Sequence, residues 1–254
     1  MKITNVEVLV LKSPGLYRSP EADEEAVGPT YMGLVKVSTD AGITGWSDME
    51  TSAPVAKAAV EAPRWSEPGM ECFDGLASLL DGENPLEVER LWYKMYRGSI
   101  YYGRRGVAMQ AISAIDIALW DICGKFYGQP VCTLMGARWR ESVPAYASTL
   151  FRPTPEGMRL AAARYLDAGF TAVKFGWGVF GEDPRRDVEL VTAARQALGD
   201  RHDLLVDAGW FVDRTPKQAI AVAESLAPYR PFFIEELLNP EDYDGYRRVA
   251  EAVN

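Results

Sequence analysis

Alternating apolar and polar positions in the first fifty residues predict three strands. The segments 6–11 (VEVLVL) and 31–38 (YMGLVKVS) are rich in β-branched residues, and the turn 39–42 (TDAG) leads into 43–50 (ITGWSDME). Strands joined by so short a turn pair side by side, so an antiparallel meander is predicted. The connecting segment 13–30 is polar, contains Pro and Gly, and is long for a plain connection, which is typical of a functional loop.

The spacing of apolar residues then becomes helical. Asn84-Pro85 has the pattern of an N-cap followed by proline at the first helical position. A long helix is predicted over 104–126. Apolar residues recur there at spacings of three or four, which predicts a core-facing stripe made of Val107, Ala111, Ala114, Ile115, Ala118 and Ile122.

After about Ser142, short apolar strands alternate with helices. The predicted strands are 143–149, 170–176, 203–209 and 232–236. Each is followed by a capping residue and proline, which predicts a helix start at Thr154-Pro155, Asp183-Pro184, Thr215-Pro216 and Asn239-Pro240. Repeated βα units predict a parallel sheet, either open and doubly wound or part of a (β/α)8 barrel. No G-x-G-x-x-G follows the first strand, which disfavours a dinucleotide-binding fold.

Composition and charge narrow the class of partner. Lys plus Arg number 27 and Asp plus Glu number 36, a net charge of −9, which is a poor match for a nucleic acid. Residues 1–15 have no signal-peptide core, and no apolar run approaches the roughly 20 residues that span a bilayer. We therefore expect no membrane association and a cytoplasmic location. The three cysteines lack metal or redox spacing, so free thiols in a reducing compartment are expected.

Charged residues end three successive strands of the βα region: Lys174, Asp207 and Glu235. Polar groups at the carboxyl ends of neighbouring parallel strands converge at a barrel mouth, which favours the barrel. The two carboxylates suit Mg²⁺, and ordinary ion pairing or helix capping is the alternative. Lys174 is a candidate catalytic base, or else a lysine extending to solvent from the strand end. Glu236 is predicted to face the opposite side of the strand and to support the ligands rather than bind the metal.

Two other polar features are interpreted as structural. His202, the single histidine, precedes the third strand of the βα region, on the face opposite the mouth. Asp121 and Lys125 are four residues apart on the long helix, as in a solvated ion pair.

The segment 111–136 (AISAIDIALWDICGKFYGQPVCTLMG) closely resembles the signature segment of the mandelate racemase/muconate lactonizing branch of the enolase superfamily. The strand ends VKFG, LLVDAG and FIEE resemble the second, third and fourth barrel strands of that family. The resemblance implies an α+β capping domain over 1–138, with the 13–30 loop folding over the mouth. It also implies that 139–254 form the first half of a (β/α)8-type barrel, truncated after four βα units.

The same resemblance implies chemistry. Mg²⁺ would be held by Asp207 and Glu235, and a proton α to a carboxylate would be abstracted to give an enediolate that the metal stabilises. Lys174 matches the first lysine of the family's K-x-K motif, but Gly176 replaces the second, and Gly209 replaces a frequent asparagine. A base from a His–Asp pair on later strands is therefore expected, as in acid-sugar dehydratases. The expected substrate is a small carboxylate, a sugar acid, and the expected assembly is a homo-oligomer.

Alternatives follow from what the segment does not contain. In the family the third metal ligand ends the fifth strand, which would lie beyond Asn254. The chain is therefore expected to lack the C-terminal half of the site. Four βα units do not close a barrel, so the chain is expected to be a fragment of a longer protein, and pairing of two half-barrels across chains is the alternative. One alternative is a catalytically incompetent fragment that acts as an assembly or binding module. Another is a racemase, epimerase or cycloisomerase of the same family, which Gly176 disfavours.

Overall fold

The chain forms two compact units, Met1–Trp139 and Arg140–Asn254, in the computed structural model. The structure describes residues 1–12, 17–18, 25–26, 31–64, 67, 71–136, 138–209 and 213–253. Each unit has its own cluster of buried apolar side chains. The architecture is an N-terminal α+β domain and a C-terminal domain built on a parallel sheet, as the sequence predicts.

The described part of the first unit contains five strands, five α-helices and one short 3-10 helix, Glu71–Phe73. The strands are β1 (Ile3–Lys12), β2 (Tyr17–Arg18), β3 (Glu25–Ala26), β4 (Tyr31–Thr39) and β5 (Thr44–Met49). The helices are α1 (Ala53–Glu61), α2 (Leu76–Leu80), α3 (Val88–Gly98), α4 (Val107–Tyr127) and α5 (Val131–Leu134). Strand β4 pairs antiparallel with both β1 and β5, which confirms the meander.

Strands β2 and β3 form a two-residue antiparallel ladder inside the predicted loop 13–30. The remaining residues of that segment, 13–16, 19–24 and 27–30, lie outside the described residues. The predicted folding of this loop over the mouth falls on them and stays a prediction.

Helix α4 is the main core element of the first unit. It begins after Gly106, whose φ of 62° is not helical, and it ends at the left-handed Gly128, so the predicted start at 104 is three residues early. The predicted stripe is buried, apart from the partly buried Val107. A Cβ at Gly45 of β5 would lie 2.0 Å from the Ala118 carbonyl oxygen, so glycine permits helix and sheet to pack closely.

Among the described residues, α4 is the one helix whose length and composition would suffice to cross a membrane. Half of its most apolar window is buried inside the protein, and its buried side chains belong to the core of the first unit. Core packing therefore accounts for its apolar composition.

The predicted Asp121–Lys125 pair forms at 2.6 Å on the exposed side of α4. The Asp121 carboxylate also accepts from the backbone N–H of Trp46 (2.9 Å), and the Lys125 ammonium donates to the Thr44 carbonyl (2.7 Å). The pair thus also ties the helix to β5.

The described part of the second unit contains four repeated βα units. In chain order they are β6 (Ala147–Leu150), α6 (Pro155–Asp167), β7 (Ala172–Gly176), α7 (Pro184–Leu198), β8 (Asp203–Asp207), α8 (Pro216–Leu226), β9 (Ile234–Glu235) and α9 (Tyr243–Ala252). The strands form one parallel sheet in the order β6–β7–β8–β9, which confirms the predicted repeat. All four strands are shorter than predicted, and β6 begins four residues later than predicted, at Ala147.

Three of the predicted helix starts in the second unit are confirmed by their caps. The side chains of Thr154, Asp183 and Thr215 each accept a backbone N–H from the first turn, and proline follows each of them. Thr215 also forms a reciprocal capping box with Gln218. These caps satisfy amide groups that otherwise lack partners inside the helix.

The predicted helix starts at Asn84 and Asn239 are wrong. Helices α3 and α9 begin later, at Val88 and Tyr243. Each asparagine side chain instead accepts an N–H from two residues further on, at 3.2 Å and 2.9 Å respectively, which makes a turn rather than a cap. Asp242 caps α9 by accepting from Gly245 N at 2.8 Å.

Candidate metal centre and active site

The register of the parallel sheet brings the predicted site residues to one face. Gly176 pairs with Asp207, and Asp207 pairs with Glu235. Lys174 lies two residues before Gly176 on β7 and therefore shares its face. Val173 and Phe175, on the opposite face, are fully buried in the core of the unit.

The three predicted site residues meet at the carboxyl ends of these strands. The Lys174 Nζ atom lies 2.5 Å from Glu235 Oε1 and 3.6 Å from Asp207 Oδ2. The side chains of Lys174 and Asp207 are 15% and 11% exposed, and that of Glu235 is 36% exposed. One ammonium group therefore bridges two carboxylates at a largely buried position.

Burial and neighbouring charges shift the pKa values of this cluster. Burial raises the pKa of Asp207, a hydrogen bond from the Gly209 amide opposes the rise, and the Glu235 carboxylate adds to it. Burial acts to lower the pKa of Lys174, but the hydrogen bond to Glu235 and the charges of both carboxylates outweigh it, so the pKa is raised. A lysine that acts as a base at neutral pH needs a lowered pKa instead. The catalytic role of Lys174 stays a prediction about the metal-bound site.

Gly176, which replaces the second lysine of the K-x-K motif, lies close to Asp207. A Cβ atom at this position would lie 2.6 Å from Asp207 Cβ and 3.0 Å from Asp207 Oδ2. Contacts below 3.0 Å force an atom to shift, so a larger residue here would displace the carboxylate. The missing second lysine is thus linked to a close approach between β7 and β8.

Glu236 lies outside the strand, so strand alternation does not determine its direction. Strand β9 ends at Glu235, and Glu236 adopts a left-handed φ of 58°. Burial raises its pKa, the carboxylates of Asp207 and Glu235 raise it further, and a hydrogen bond from the Trp177 side chain opposes them. Strand alternation therefore no longer supports the predicted face, and both that face and the supporting role stay predictions.

Sequence reasoning missed two aromatic residues at the site. The Trp177 indole Nε1 donates to Asp207 Oδ1 at 3.1 Å, and the Lys174 Nζ atom lies 5.8 Å from the centre of the Tyr146 ring. Gly209 N also donates to Asp207 Oδ1, at 3.0 Å. The Asp-x-Gly spacing could have indicated the last contact, because Asp often accepts an N–H from two residues on. No sequence signal indicates the two aromatic contacts.

His202 lies at the opposite end of β8 from the site. It immediately precedes the strand, whose other end is Asp207. Its Nδ1 atom is 2.8 Å from the Leu198 carbonyl oxygen, and its own carbonyl accepts from Arg195. These contacts are structural ties between α7 and β8.

The donor set at the strand ends fits Mg²⁺. Within the described ranges, no three Asp, Glu, His or Cys residues form a group that could hold a metal. Mg²⁺, however, commonly binds one or two carboxylates and keeps water or substrate oxygens in its other positions. The Lys174 ammonium between Asp207 and Glu235 shows that the pair already attracts a cation.

The fold and the site together define an enolase-superfamily architecture, in which a capping domain precedes a barrel with acids at its strand ends. The family model for the mandelate racemase / muconate lactonizing enzyme N-terminal domain matches residues 19–136. The model described as enolase C-terminal domain-like matches residues 157–254. The chain belongs to the mandelate racemase/muconate lactonizing enzyme family of the enolase superfamily.

Several characterised proteins are similar to this chain. D-galactarolactone cycloisomerase of Agrobacterium fabrum is 32% identical over 222 residues, covering 85% of this chain and 53% of the relative. D-gluconate dehydratase of Thermoproteus tenax is 30% identical over 237 residues, covering 90% and 45%. The crystal structure of a racemase from Streptomyces coelicolor A3(2) with bound magnesium matches with a TM-score of 0.80 at 29% identity, covering 99% and 67%. The chain spans about half the length of the curated relatives it matches.

Proposed function

We propose that this chain carries part of the active site of an Mg²⁺-dependent enzyme that abstracts the proton α to the carboxylate of a sugar acid. The reaction passes through an enediolate and ends in dehydration. The observation that carries the proposal is the convergence of Lys174, Asp207 and Glu235 at the ends of β7, β8 and β9. Family membership and the dehydratases among the relatives support it.

The described residues divide into two roles. Asp207 and Glu235 would hold Mg²⁺, because their oxygens face one another across neighbouring strands. When bound, the metal would supply the positive charge that stabilises negative charge developing on the substrate carboxylate. Lys174 lies between these acids and supplies a second positive charge, which can attract and orient that carboxylate. The base is expected from later strands of the barrel.

The substrate class is inferred from chemistry and from relatives. A site built from two acids and a lysine suits a small carboxylate that bridges a metal and an ammonium group. The names of the similar proteins include D-gluconate, D-galactonate and D-galactarolactone. A homo-oligomeric state and a cytoplasmic location remain predictions.

The test begins with metal binding. Isothermal titration calorimetry of the 254-residue chain with Mg²⁺ should show one saturable site, which Asp207→Asn abolishes. The exposed Asp200, changed by Asp200→Asn, is the matched control in the same unit and should leave binding intact. Saturable binding that survives Asp207→Asn would refute the assigned ligand.

The second step is an assay with Mg²⁺ and a panel of sugar acids, including D-gluconate and D-galactonate. Dehydration forms a 2-keto-3-deoxy acid, which a carbonyl reagent detects. Because the chain spans about half of its relatives, the longest native form of the protein is assayed beside it. Turnover by that form that is lost in Asp207→Asn supports the proposal, and turnover without Mg²⁺ contradicts it.

Two alternatives are separated by the same experiments. Cycloisomerisation is favoured by the 32% identical relative, and it would convert a sugar lactone into an isomer of the same mass. Dehydration removes one water, so mass spectrometry of the product separates the two reactions. A catalytically incompetent chain acting as a binding or assembly module is favoured by the presence of only two acids facing one cation in the described residues. That module would bind the metal without turnover of any substrate.

A further inference from the structure

Trp177 makes contacts with Asp207 that none of the roles above explains. It follows Gly176 at the carboxyl end of β7, and its indole Nε1 donates to Asp207 Oδ1 at 3.1 Å. Its backbone N–H also points to the Asp207 carbonyl oxygen, at 3.4 Å. Trp177, the residue directly after β7, therefore forms hydrogen bonds with both the backbone and the side chain of Asp207, the last residue of β8.

The two carboxylate oxygens of Asp207 have different partners. Asp207 Oδ1 accepts from two donors, the Trp177 indole and the Gly209 amide at 3.0 Å. Asp207 Oδ2 faces Lys174 Nζ at 3.6 Å, on the side shared with Glu235. Two converging hydrogen bonds on one oxygen restrict rotation of the carboxylate and keep the other oxygen directed toward the cation.

The conformation of Trp177 shows that its surroundings hold it in place. Its φ is 51°, a left-handed value that is unfavourable for a bulky residue and persists where the surroundings over-determine it. The Phe180 amide donates to its carbonyl at 3.1 Å. A Cβ at Gly209 would lie 3.3 Å from the indole Cδ1 atom, so the ring sits directly on Gly209.

We propose that Trp177 is a positioning residue that orients Asp207, so that Oδ2 faces Lys174 and the metal. It acts through Asp207, because its indole N–H donates to that carboxylate and, being a donor, cannot itself bind a cation. The same side chain also forms a hydrogen bond with Glu236. The orienting hydrogen bond joins two residues of this chain, and only its effect on metal affinity rests on the proposed function. Removing a hydrogen-bond partner of a metal ligand typically lowers metal affinity 10- to 100-fold.

The first experiment compares Mg²⁺ affinity by calorimetry in the full chain, Trp177→Phe and Trp46→Phe. Phenylalanine retains an aromatic ring but removes the N–H donor, and Trp46 lies in the other unit, on β5. We expect roughly 10- to 100-fold weaker binding for Trp177→Phe and unchanged binding for Trp46→Phe. Equal affinity in all three proteins, with circular dichroism showing each one folded, would overturn the effect on the metal.

The second experiment needs no metal and still decides the positioning role if Trp177→Phe fails to fold. The chain has seven tryptophans, whose indole N–H groups give separate signals in a proton–nitrogen correlation spectrum. The signal assigned to Trp177 should shift in Asp207→Asn, because its acceptor loses its charge, and should not move in Asp200→Asn. A Trp177 signal indifferent to Asp207→Asn overturns the inference. If the wild type binds no Mg²⁺, the proposed function is wrong. The spectrum still tests the hydrogen bond between Trp177 and Asp207, because that measurement needs no metal.

Discussion

At the scale of single residues, the space around Gly176 controls where the first acid of the site lies. A Cβ there would meet the Cβ, Cγ and Oδ2 atoms of Asp207 at 2.6, 2.9 and 3.0 Å. Gly176 does not have a positive φ, so alanine would be excluded by crowding rather than by backbone strain. A substitution at Gly176 therefore tests the effect of steric crowding without adding backbone strain.

We predict that Gly176→Ala displaces the Asp207 carboxylate and lowers the free energy of unfolding by about 2 kcal/mol, as overpacking commonly does. Urea denaturation of the metal-free chain measures the loss of stability, and calorimetry measures the accompanying fall in Mg²⁺ affinity. Unchanged stability together with unchanged affinity would show that β7 and β8 separate easily at this point.

The sequence could predict that Lys174, Asp207 and Glu235 are neighbours, because parallel strands bring their carboxyl ends together. Asp207 and Glu235 are the last residues of their strands, and Lys174 lies two residues before the end of β7. Trp177 and Glu236 could not be placed in the same way. Both have left-handed backbones, with φ of 51° and 58°, and therefore leave the two-residue alternation of the strands. Their contacts depend on loop conformations that no local pattern specifies.

At the scale of elements, capping chemistry decided which helix starts were predictable. The Thr-Pro and Asp-Pro pairs at 154, 183 and 215 begin helices, whereas Asn84-Pro85 and Asn239-Pro240 make turns that precede them. An asparagine oxygen that accepts an N–H from two residues on closes a turn and delays the helix by several residues. A capping residue followed by proline thus has two structural outcomes in this chain, a helix N-terminus or a turn that precedes the helix.

Asp187, in the first turn of α7, is a buried carboxyl group whose environment shifts its pKa. Both of its oxygens accept from the Gly181 amide, at 2.9 and 3.0 Å, which holds the loop between β7 and α7. Burial raises the pKa of Asp187 from its ordinary value of 3.8, although the Gly181 hydrogen bond and the Arg214 charge oppose the rise. The folded state therefore holds this proton to a higher pH than the unfolded state does.

We predict that this raised pKa makes the wild type lose stability relative to Asp187→Asn as pH rises from about 4 to about 7. Between the unfolded and folded pKa values the unfolded state binds fewer protons, so the free energy of unfolding falls with increasing pH. Asp187→Asn removes the titrating group and so removes that slope. Urea denaturation at both pH values measures it, with Asp200→Asn as the control. A stability difference independent of pH would contradict the prediction.

At the scale of the whole molecule, the described residues form two separate hydrophobic cores. One core is built on β1, β4, β5 and α4, and the other lies around β7, β8 and their helices. The candidate metal ligands Asp207 and Glu235 both belong to the second unit. A ligand that binds only the folded state stabilises the cooperative unit that contains its site.

We predict that Mg²⁺ slows amide hydrogen exchange in the second unit, most strongly in β8 and β9, and leaves β1, β4 and β5 unchanged. At a metal concentration about 100 times the dissociation constant, the stabilisation is about 2.7 kcal/mol. Hydrogen exchange followed by mass spectrometry resolves the two units in one experiment. Protection in Asp207→Asn equal to that in the wild type would refute the assignment of the site.

The sequence by itself determined the class of this protein. Alternating and helical spacing defined the meander and the βα repeat, three strand-end charges marked the site, and the segment 111–136 indicated the family. These features are local, because side-chain periodicity and capping act over a few residues. Tertiary structure alone decided the close approach of Gly176 to Asp207, the left-handed turns after the strands and the hold of Trp177 on one carboxylate oxygen. Those depend on the distance between strands, which packing of the whole unit determines.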